Sequence, residues 1–432
     1  MSVGERYVLE ADEELRIDVD LDQKGEICMV ELMDGNAEIV GTEMVKDFKY
    51  KFHHGQKFSV YTYHGCTVTV YGRNPETNLY KSKEHPMVQY LNVHYALECK
   101  RKEADKIDSK VGPVVMVVGP QDVGKTTLCT LLLNYAVRQG RRPIFADLDV
   151  SQNTLTVPGN ISATLVERPA SIEEGLPQNA PLVYHYGHTN PGENTVLYNS
   201  LVSTMGSMVH ERLKVNRKAQ KSGVIINTFN TSQYNNKKEG YEQIKHIAEA
   251  FKADVIIVLE KEKLNIDLTR DMPGRTVVWL PKSNGVAERT NEQRTEDSSN
   301  SIRQYYYGFQ QSLFPHTFDI KFDYLKDKIF KIGAPSLPES CMPLGKTADD
   351  NHTKLVPVSL TPKDLLNHIL ALSCAEDKDN IISTNTAGFL VVTQVNLDEH
   401  KISVLSPQPR EPKAIPLPFS FLLLSEVKYI DR

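Results

Sequence analysis

The run Gly119-Pro-Gln-Asp122-Val123-Gly124-Lys125-Thr126 has the residue types and spacing of a phosphate-binding loop, G-x-x-x-x-G-K-[ST]. Its glycines let the backbone curl so that successive N–H groups and a following helix N-terminus face the β- and γ-phosphates of a nucleotide. Lys125 adds a point charge, and the Thr126 hydroxyl is placed to hold Mg²⁺. Further along, Asp147-Leu-Asp149 offers two carboxylates at spacing i and i+2, which share one face while a strand lasts. A carboxylate beside a phosphate loop organises the metal or accepts the proton of an attacking hydroxyl. Asp149, nearer the expected strand end, is the favoured base.

The polar segment from Pro281 to Thr295 carries Arg289 and Arg294. Phosphoryl transfer gathers charge on the equatorial oxygens, where an inserted arginine is worth roughly 10³ to 10⁵ in rate. A lid over residues 281–300 is one reading and a solvated helix face the other. Guanine-specific switch proteins carry Asn-Lys-x-Asp, whereas the nearest text here, Asn236-Lys-Lys-Glu239, lacks the aspartate. An ATP-dependent kinase is therefore preferred to a GTPase. The basic run from Arg212 to Lys221 fits either a solvated helix face or a track for an RNA backbone.

The elements that must position these groups follow from periodicity. Val114-Val-Met-Val-Val118 is a continuous apolar run, as a strand buried on both faces requires. Leu128, Leu131, Leu132 and Tyr135 make one helical stripe that Gly140 can end. Further buried strands are expected at 144–150, 224–228, 255–260 and 277–280, the last placing Trp279, the one tryptophan, in a core. The fold class is an α/β P-loop NTPase core, a parallel sheet with helices on both faces, spanning residues 101–313. Residues 1–100 alternate apolar and polar positions between turn signals and read as a β-domain. The charged stretch from Lys100 to Lys110 then ends a helix or forms a linker. Residues 314–432 return to short β-runs punctuated by proline.

With 432 residues, 40% hydrophobic and 24% charged, the composition is that of a globular protein, which excludes fibrous or disordered classes. A net charge of -5 gives no global basic field, so any nucleic-acid site must be local. The cysteines, six in all, form no C-x-x-C pair, and neither a disulfide framework nor a zinc site is readable. No apolar leader or membrane-length stretch is evident; a soluble protein of a reducing compartment is expected, with no membrane partner.

Beyond the phosphate loop, the chain resembles the eukaryotic polynucleotide 5'-hydroxyl kinases that serve as subunits of the pre-mRNA cleavage and polyadenylation machinery (cleavage factor II). The resemblance is carried by Ala37-Glu-Ile-Val-Gly-Thr-Glu43, Leu132-Leu-Asn-Tyr-Ala-Val137, Asp147-Leu-Asp-Val150, Ala180-Pro-Leu-Val-Tyr184, Tyr305-Tyr-Tyr-Gly308, Lys331-Ile-Gly-Ala-Pro335, Cys341-Met-Pro-Leu-Gly345 and Leu405-Ser-Pro-Gln-Pro-Arg410. It implies an ATP and Mg²⁺ site shared across domains, with Glu14 and Lys57 joining Gly119 and the Asp122–Thr127 run, Thr127 included. By spacing alone, Glu14 and Lys57 read as surface charges. The resemblance further implies that Asp149 activates the RNA 5'-hydroxyl, that Lys125, Arg289 and Arg294 stabilise the transferred group, and that Thr189 belongs to an RNA clasp. The clasp's other arm, an aromatic in Asn-Thr-Cys-Gly-Trp, falls on Thr231 of Asn227-Thr-Phe-Asn-Thr231. Ser151 and Asn284 likewise stand where the family has glycine. Implied partners are RNA 5'-hydroxyl ends, a large cleavage-factor scaffold subunit and, as in relatives, the tRNA splicing endonuclease, in the nucleus. Thr231 supports an alternative: an ATP-bound scaffold of the 3'-end cleavage complex with weak or no turnover.

Overall fold

A computed structural model describes residues 4–19, 27–72, 78–82, 84, 86–177, 180–230, 237–333, 351–409 and 421–430. Alternating residues build the first part: β1 (Glu5–Leu9), β2 (Glu14–Asp18), β3 (Cys28–Gly35), β4 (Glu38–Ile39), β5 (Thr42–Glu43), β6 (Lys49–Phe52), β7 (Lys57–Tyr61), β8 (Cys66–Tyr71) and β9 (Asn78–Ser82). Two sheets, ordered β1-β8-β3-β6 and β5-β4-β7-β2-β9, face each other across Leu15, Ile17, Val30, Val60, Val68 and Val70. This is the sandwich geometry that period-two patterning specifies.

α1 (Pro86–Asp105) follows, and the charged stretch from Lys100 forms its final turns. The central sheet comprises β10 (Val114–Val118), β11 (Ile144–Asp147), β12 (Asn160–Leu165), β13 (Leu182–His185), β14 (Val224–Asn227), β15 (Val255–Leu259) and β16 (Thr276–Leu280). Interspersed are α2 (Lys125–Arg138), α3 (Thr195–Val215), α4 (Arg217–Ser222), α5 (Lys237–Ala250), α6 (Glu262–Asp271) and α7 (Asn291–Tyr307). Val115, Val117, Ile225 and Ile257 pack on Leu128 and Leu132 of α2, whereas Met116, Val118, Ile226 and Ile256 face α3 and α5. Helices thus cover both faces.

Two expectations are corrected. The sheet, ordered β13-β12-β11-β14-β10-β15-β16, is mixed rather than wholly parallel, because β12 pairs antiparallel with both β11 and β13. Antiparallel neighbours need no crossover helix, and the chain passes from β11 to β12 through a loop alone. Trp279 is not core: β16 is an edge strand, and Trp279 is 37% exposed.

The last part is β17 (His316–Lys321), α8 (Phe322–Leu325), β18 (Ile329–Ile332), β19 (Leu355–Pro357), α9 (Pro362–Leu365), β20 (His368–Ser373), β21 (Thr386–Asn396), β22 (Lys401–Ser406) and β23 (Phe421–Lys428). Its sheet order is β17-β22-β21-β20-β23-β18-β19. One face has its own core around Leu370, Val392 and Val404. The other adds Phe330, Val391 and Leu423 to the core that holds Ile302 and Tyr306 of α7.

The contacts between parts use motif residues. Glu38 accepts hydrogen bonds from the Tyr135 hydroxyl and from Arg138 Nη1, and Asn134 Nδ2 donates to the Val40 carbonyl at 2.8 Å. A Cβ on Gly41 (φ +78°) would come within 3.3 Å of α2, so the sandwich grips the phosphate-loop helix closely. Of the basic run, Lys221 does not face solvent: it is buried, and its Nζ donates to the carbonyls of Ile107, Asp108 and Lys110, whereas Arg212, Lys214, Arg217 and Lys218 are exposed.

Candidate active site

The phosphate loop links β10 to α2. Asp122 (φ +53°) and Gly124 (φ +88°) both adopt the left-handed conformation, which turns the chain tightly enough for α2 to begin at Lys125. Gly124 supplies no side-chain cap, so the first-turn N–H groups of α2 are available to an anion. Lys125 is buried with its Nζ donating to the Pro120 carbonyl at 2.8 Å. Burial pulls its ammonium below the usual range, against the attraction of Asp149.

The two carboxylates differ from the shared strand face expected for them. β11 ends at Asp147, so the period-two rule does not reach Asp149. Asp147 is fully buried; Oδ2 accepts from Thr154 N at 2.9 Å and Thr154 Oγ1 at 2.7 Å, and Oδ1 accepts from Asn227 Nδ2 at 3.0 Å. Burial and the neighbouring Asp149 push its pKa up to about 6, against those hydrogen bonds. Asp149, beyond the strand, lines a cavity of about 680 Å³. Its Oδ1 accepts from Ser151 N (2.9 Å), Ser151 Oγ (2.6 Å) and Gln152 N (3.3 Å). Ser151 thus adds a hydroxyl hydrogen bond to Asp149 that glycine could not.

That cavity is also walled by Lys125, Thr126, Thr189, Arg289 and Arg294. A second cavity of about 350 Å³ shares Gly124, Thr127, Val286, Ala287 and Arg289 with it. Glu14, Arg16 and Asp18 of β2 alternate along the wall of the second cavity, and Lys57, Ser59 and Tyr61 of β7 pair with them in register. Glu14 is buried, correcting the surface-charge expectation from spacing; Lys57 is exposed, as that expectation had it, and pairs with Asp18 at 2.6 Å. The two cavities meet over the phosphate loop, a shape that takes a base on one side and phosphates with an acceptor on the other.

The arginine segment combines both of its sequence readings. Residues 281–290 form a loop, and the Thr290–Gln293 capping box then starts α7, which puts Arg294 in its first turn. Arg289 N and Arg294 Nη2 both donate to Asp122 Oδ2, at 3.2 and 2.6 Å. At the root of the segment, Glu84 accepts from Asn284 N at 3.0 Å and from Arg16 Nη2 at 2.9 Å.

Thr189 is exposed on the cavity wall, whereas Thr231 lies outside the described residues. Phe229, the aromatic just before that segment, is fully buried against Tyr198. Sequence reasoning missed Arg16, Glu84 and Asn227. Arg16 had a signal, since it shares a face of β2 with Glu14; Asn227, which donates to both Thr126 Oγ1 (3.3 Å) and Asp147, had none. Thr126 and Asp149, which both line the cavity, present hard oxygen donors of the kind Mg²⁺ prefers, whereas Asp147 is buried behind them with its oxygens bonded to Thr154 and Asn227.

A phosphate loop at a strand end, carboxylates beside it and arginines folded over it define a P-loop phosphotransferase core, here joined to two β-rich domains. Residues 119–308 match the family described as "mRNA cleavage and polyadenylation factor CLP1 P-loop", 8–104 its "N-terminal beta-sandwich domain of polyadenylation factor", and 313–431 "Pre-mRNA cleavage complex II protein Clp1". The chain belongs to the Clp1 family. It is 52% identical to a CLP1 homologue of Anopheles gambiae, covering 98% of this chain and 97% of that one. It is 47% identical to the polyribonucleotide 5'-hydroxyl-kinase Clp1 of Gallus gallus, covering 99% and 96%. The solved structure of a wild-type Clp1p–Pcf11p complex is similar over 100% of this chain and 99% of that chain, with 26% identity and a TM-score of 0.83.

Proposed function

We propose that this chain is an ATP-dependent polyribonucleotide 5'-hydroxyl kinase that acts in nuclear pre-mRNA 3'-end cleavage and polyadenylation. The observation that carries this reading is the shared cavity of Lys125, Asp149, Thr189, Arg289 and Arg294 at the end of the phosphate loop. The chicken relative bears the kinase name, and the neighbour in complex with Pcf11p supports a cleavage-factor subunit as partner.

In this reading Glu14 and Lys57 hold the nucleoside end of ATP, and the backbone of residues 119–127 holds its phosphates. Asp149 takes the proton of the 5'-hydroxyl as that oxygen bonds the γ-phosphorus. The bond from the γ-phosphorus to the β,γ-bridging oxygen breaks, and ADP leaves with the electron pair. Lys125, Arg289 and Arg294 balance the charge on the transferred group. Mg²⁺, for which Thr126 and Asp149 are the oxygen donors on the cavity wall, would supply further charge neutralisation at the phosphates. A second reading, an ATP-bound scaffold with little turnover, is favoured by Thr231, where the family carries its clasp tryptophan; transfer-RNA splicing, with its endonuclease as partner, is a further role on the same chemistry.

The test is transfer of label from γ-labelled ATP to a 5'-hydroxyl RNA oligonucleotide. Label on wild-type product that is lost in Lys125→Ala and Asp149→Asn supports the kinase. No label with wild type, ATP still bound and transfer gained in Thr231→Trp, supports the scaffold.

A further inference from the structure

β23 reaches the active cavity from the C-terminal sheet. Glu426 N donates to the Gly187 carbonyl at 2.8 Å, Ser425 Oγ donates to the same carbonyl at 3.3 Å, and Glu426 Oε2 pairs with His188 Nδ1 at 2.8 Å. A Cβ on Gly159 would come within 3.2 Å of Val427. These contacts fix the strand against the loop that carries Thr189. Val427 and Lys428 consequently form part of the same wall as Asp149 and Thr189.

The cations of that cavity have different commitments. Lys125 is buried on Pro120, Arg294 is paired with Asp122, and Arg289 with Asp297 at 3.0 Å. Nearby Lys331 is paired with Glu426 at 2.7 Å. Lys428 is exposed and makes no ion pair or side-chain hydrogen bond among the described residues. A polynucleotide acceptor brings charge of its own: each linkage 3' of the reacting nucleotide carries one negative phosphate. An exposed ammonium on the acceptor side of the cavity matches that charge, and phosphate contacts of this kind set the register of a nucleic acid without reading its sequence.

We infer that Lys428 binds one of the first two internucleotide phosphates of the acceptor strand, so that the C-terminal domain supplies part of the polynucleotide site. The inference rests on the kinase reading of the cavity. It makes Lys428 a binding residue that separates polynucleotide acceptors from free nucleosides.

The experiment compares the full-length wild type with Lys428→Ala, Lys428→Glu and Lys428→Arg. Acceptors are a 5'-hydroxyl tetranucleotide and versions in which the first or second linkage is an uncharged methylphosphonate. Expected for Lys428→Ala is a KM for the tetranucleotide raised about five- to tenfold, with kcat and the KM for ATP within about twofold. Lys428→Glu should be worse and Lys428→Arg near wild type. One of the two neutral linkages should weaken wild type by a similar factor yet leave Lys428→Ala unaffected. Additive losses at both linkages, or an equal change in the KM for ATP, would overturn the inference. If wild type transfers no phosphate, the kinase reading fails by itself. Fluorescence anisotropy of the same oligonucleotides with ATP present then decides the contact, where loss of one phosphate contact lowers the salt slope by about 0.7. An unchanged slope and affinity in Lys428→Ala and Lys428→Glu would overturn it there as well.

Discussion

Asp122 of the phosphate loop holds Arg294 of α7 by a 2.6 Å ion pair, and the same oxygen accepts from the backbone N–H of Arg289 at 3.2 Å. One carboxylate therefore sets the position of both arginines relative to the phosphate loop. Its backbone, at φ +53°, is one that aspartate and asparagine tolerate better than other side chains.

Asp122→Asn tests this link with little backbone strain. Loss of the charge should loosen the lid, seen as faster amide exchange over residues 289–296 in the nucleotide-free protein. Turnover should fall about tenfold, with the KM for ATP within about threefold. Unchanged exchange in those residues would show that the ion pair does not hold the lid.

Gly285→Ala addresses the root of the lid. An added Cβ would sit 2.7 Å from Arg16 Nε and 2.8 Å from its Cζ. Arg16 cannot swing aside cheaply, because it is buried and bound to Glu14, Glu84 and Ser283. We expect a loss of about 1 to 3 kcal/mol, the usual cost of overpacking, together with weaker ATP binding. Thermal melts with and without ATP check both parts; a mutant as stable as wild type would mean that the lid root yields.

Much of the fold was legible because its signals are local. The all-apolar run at Val114 needs no tertiary information to be read as a strand buried on both faces, and the stripe from Leu128 to Tyr135 is equally explicit. Trp279 was misread because periodicity reports a strand but not its place in the sheet, and β16 is at an edge. The place of Asp149 beside the phosphate loop follows from where β11 stops, not from the shared strand face that its spacing to Asp147 suggests. The groups that tie the site together, Glu84 with Asn284, Asn227 with Thr126, and Asp122 with Arg294, lie far apart in sequence. No spacing rule brings such pairs together.

Lys221 separates a structural from a nucleic-acid role for the basic run. Its three carbonyl acceptors close the turn that follows α1 onto α4. Lys221→Met should cost about 2 to 3 kcal/mol, since charge-assisted hydrogen bonds are lost and three carbonyls are stripped of a donor. Denaturant unfolding measures this, while RNA affinity of the folded mutant should match wild type. A mutant of normal stability with weakened RNA binding would restore the RNA-tracking reading.

Asp147 gives the protein a pH dependence of definite sign. An unfolded aspartate titrates near 3.8, whereas in the folded protein this carboxyl is pushed up to about 6 by burial and by Asp149. Between those values the unfolded chain has released the proton that the folded chain retains, so stability falls as pH rises. The contribution is fully present below the unfolded pKa and is lost above about pH 6. Each tenfold difference in proton affinity between the folded and unfolded chain is worth roughly 1.4 kcal/mol, so the contribution amounts to about 3 kcal/mol. Asn cannot titrate, so the unfolding free energy of wild type minus that of Asp147→Asn should drop by about 2 kcal/mol between pH 4 and pH 7 in urea titrations, the rest being lost below pH 4. Parallel curves for the two proteins would show that the hydrogen bonds from Thr154 and Asn227 keep Asp147 ionised throughout. Mg²⁺ with ATP should flatten the wild-type slope if Asp147 helps to hold the metal, because a nearby cation favours the carboxylate in the folded state and brings its pKa back toward that of the unfolded chain.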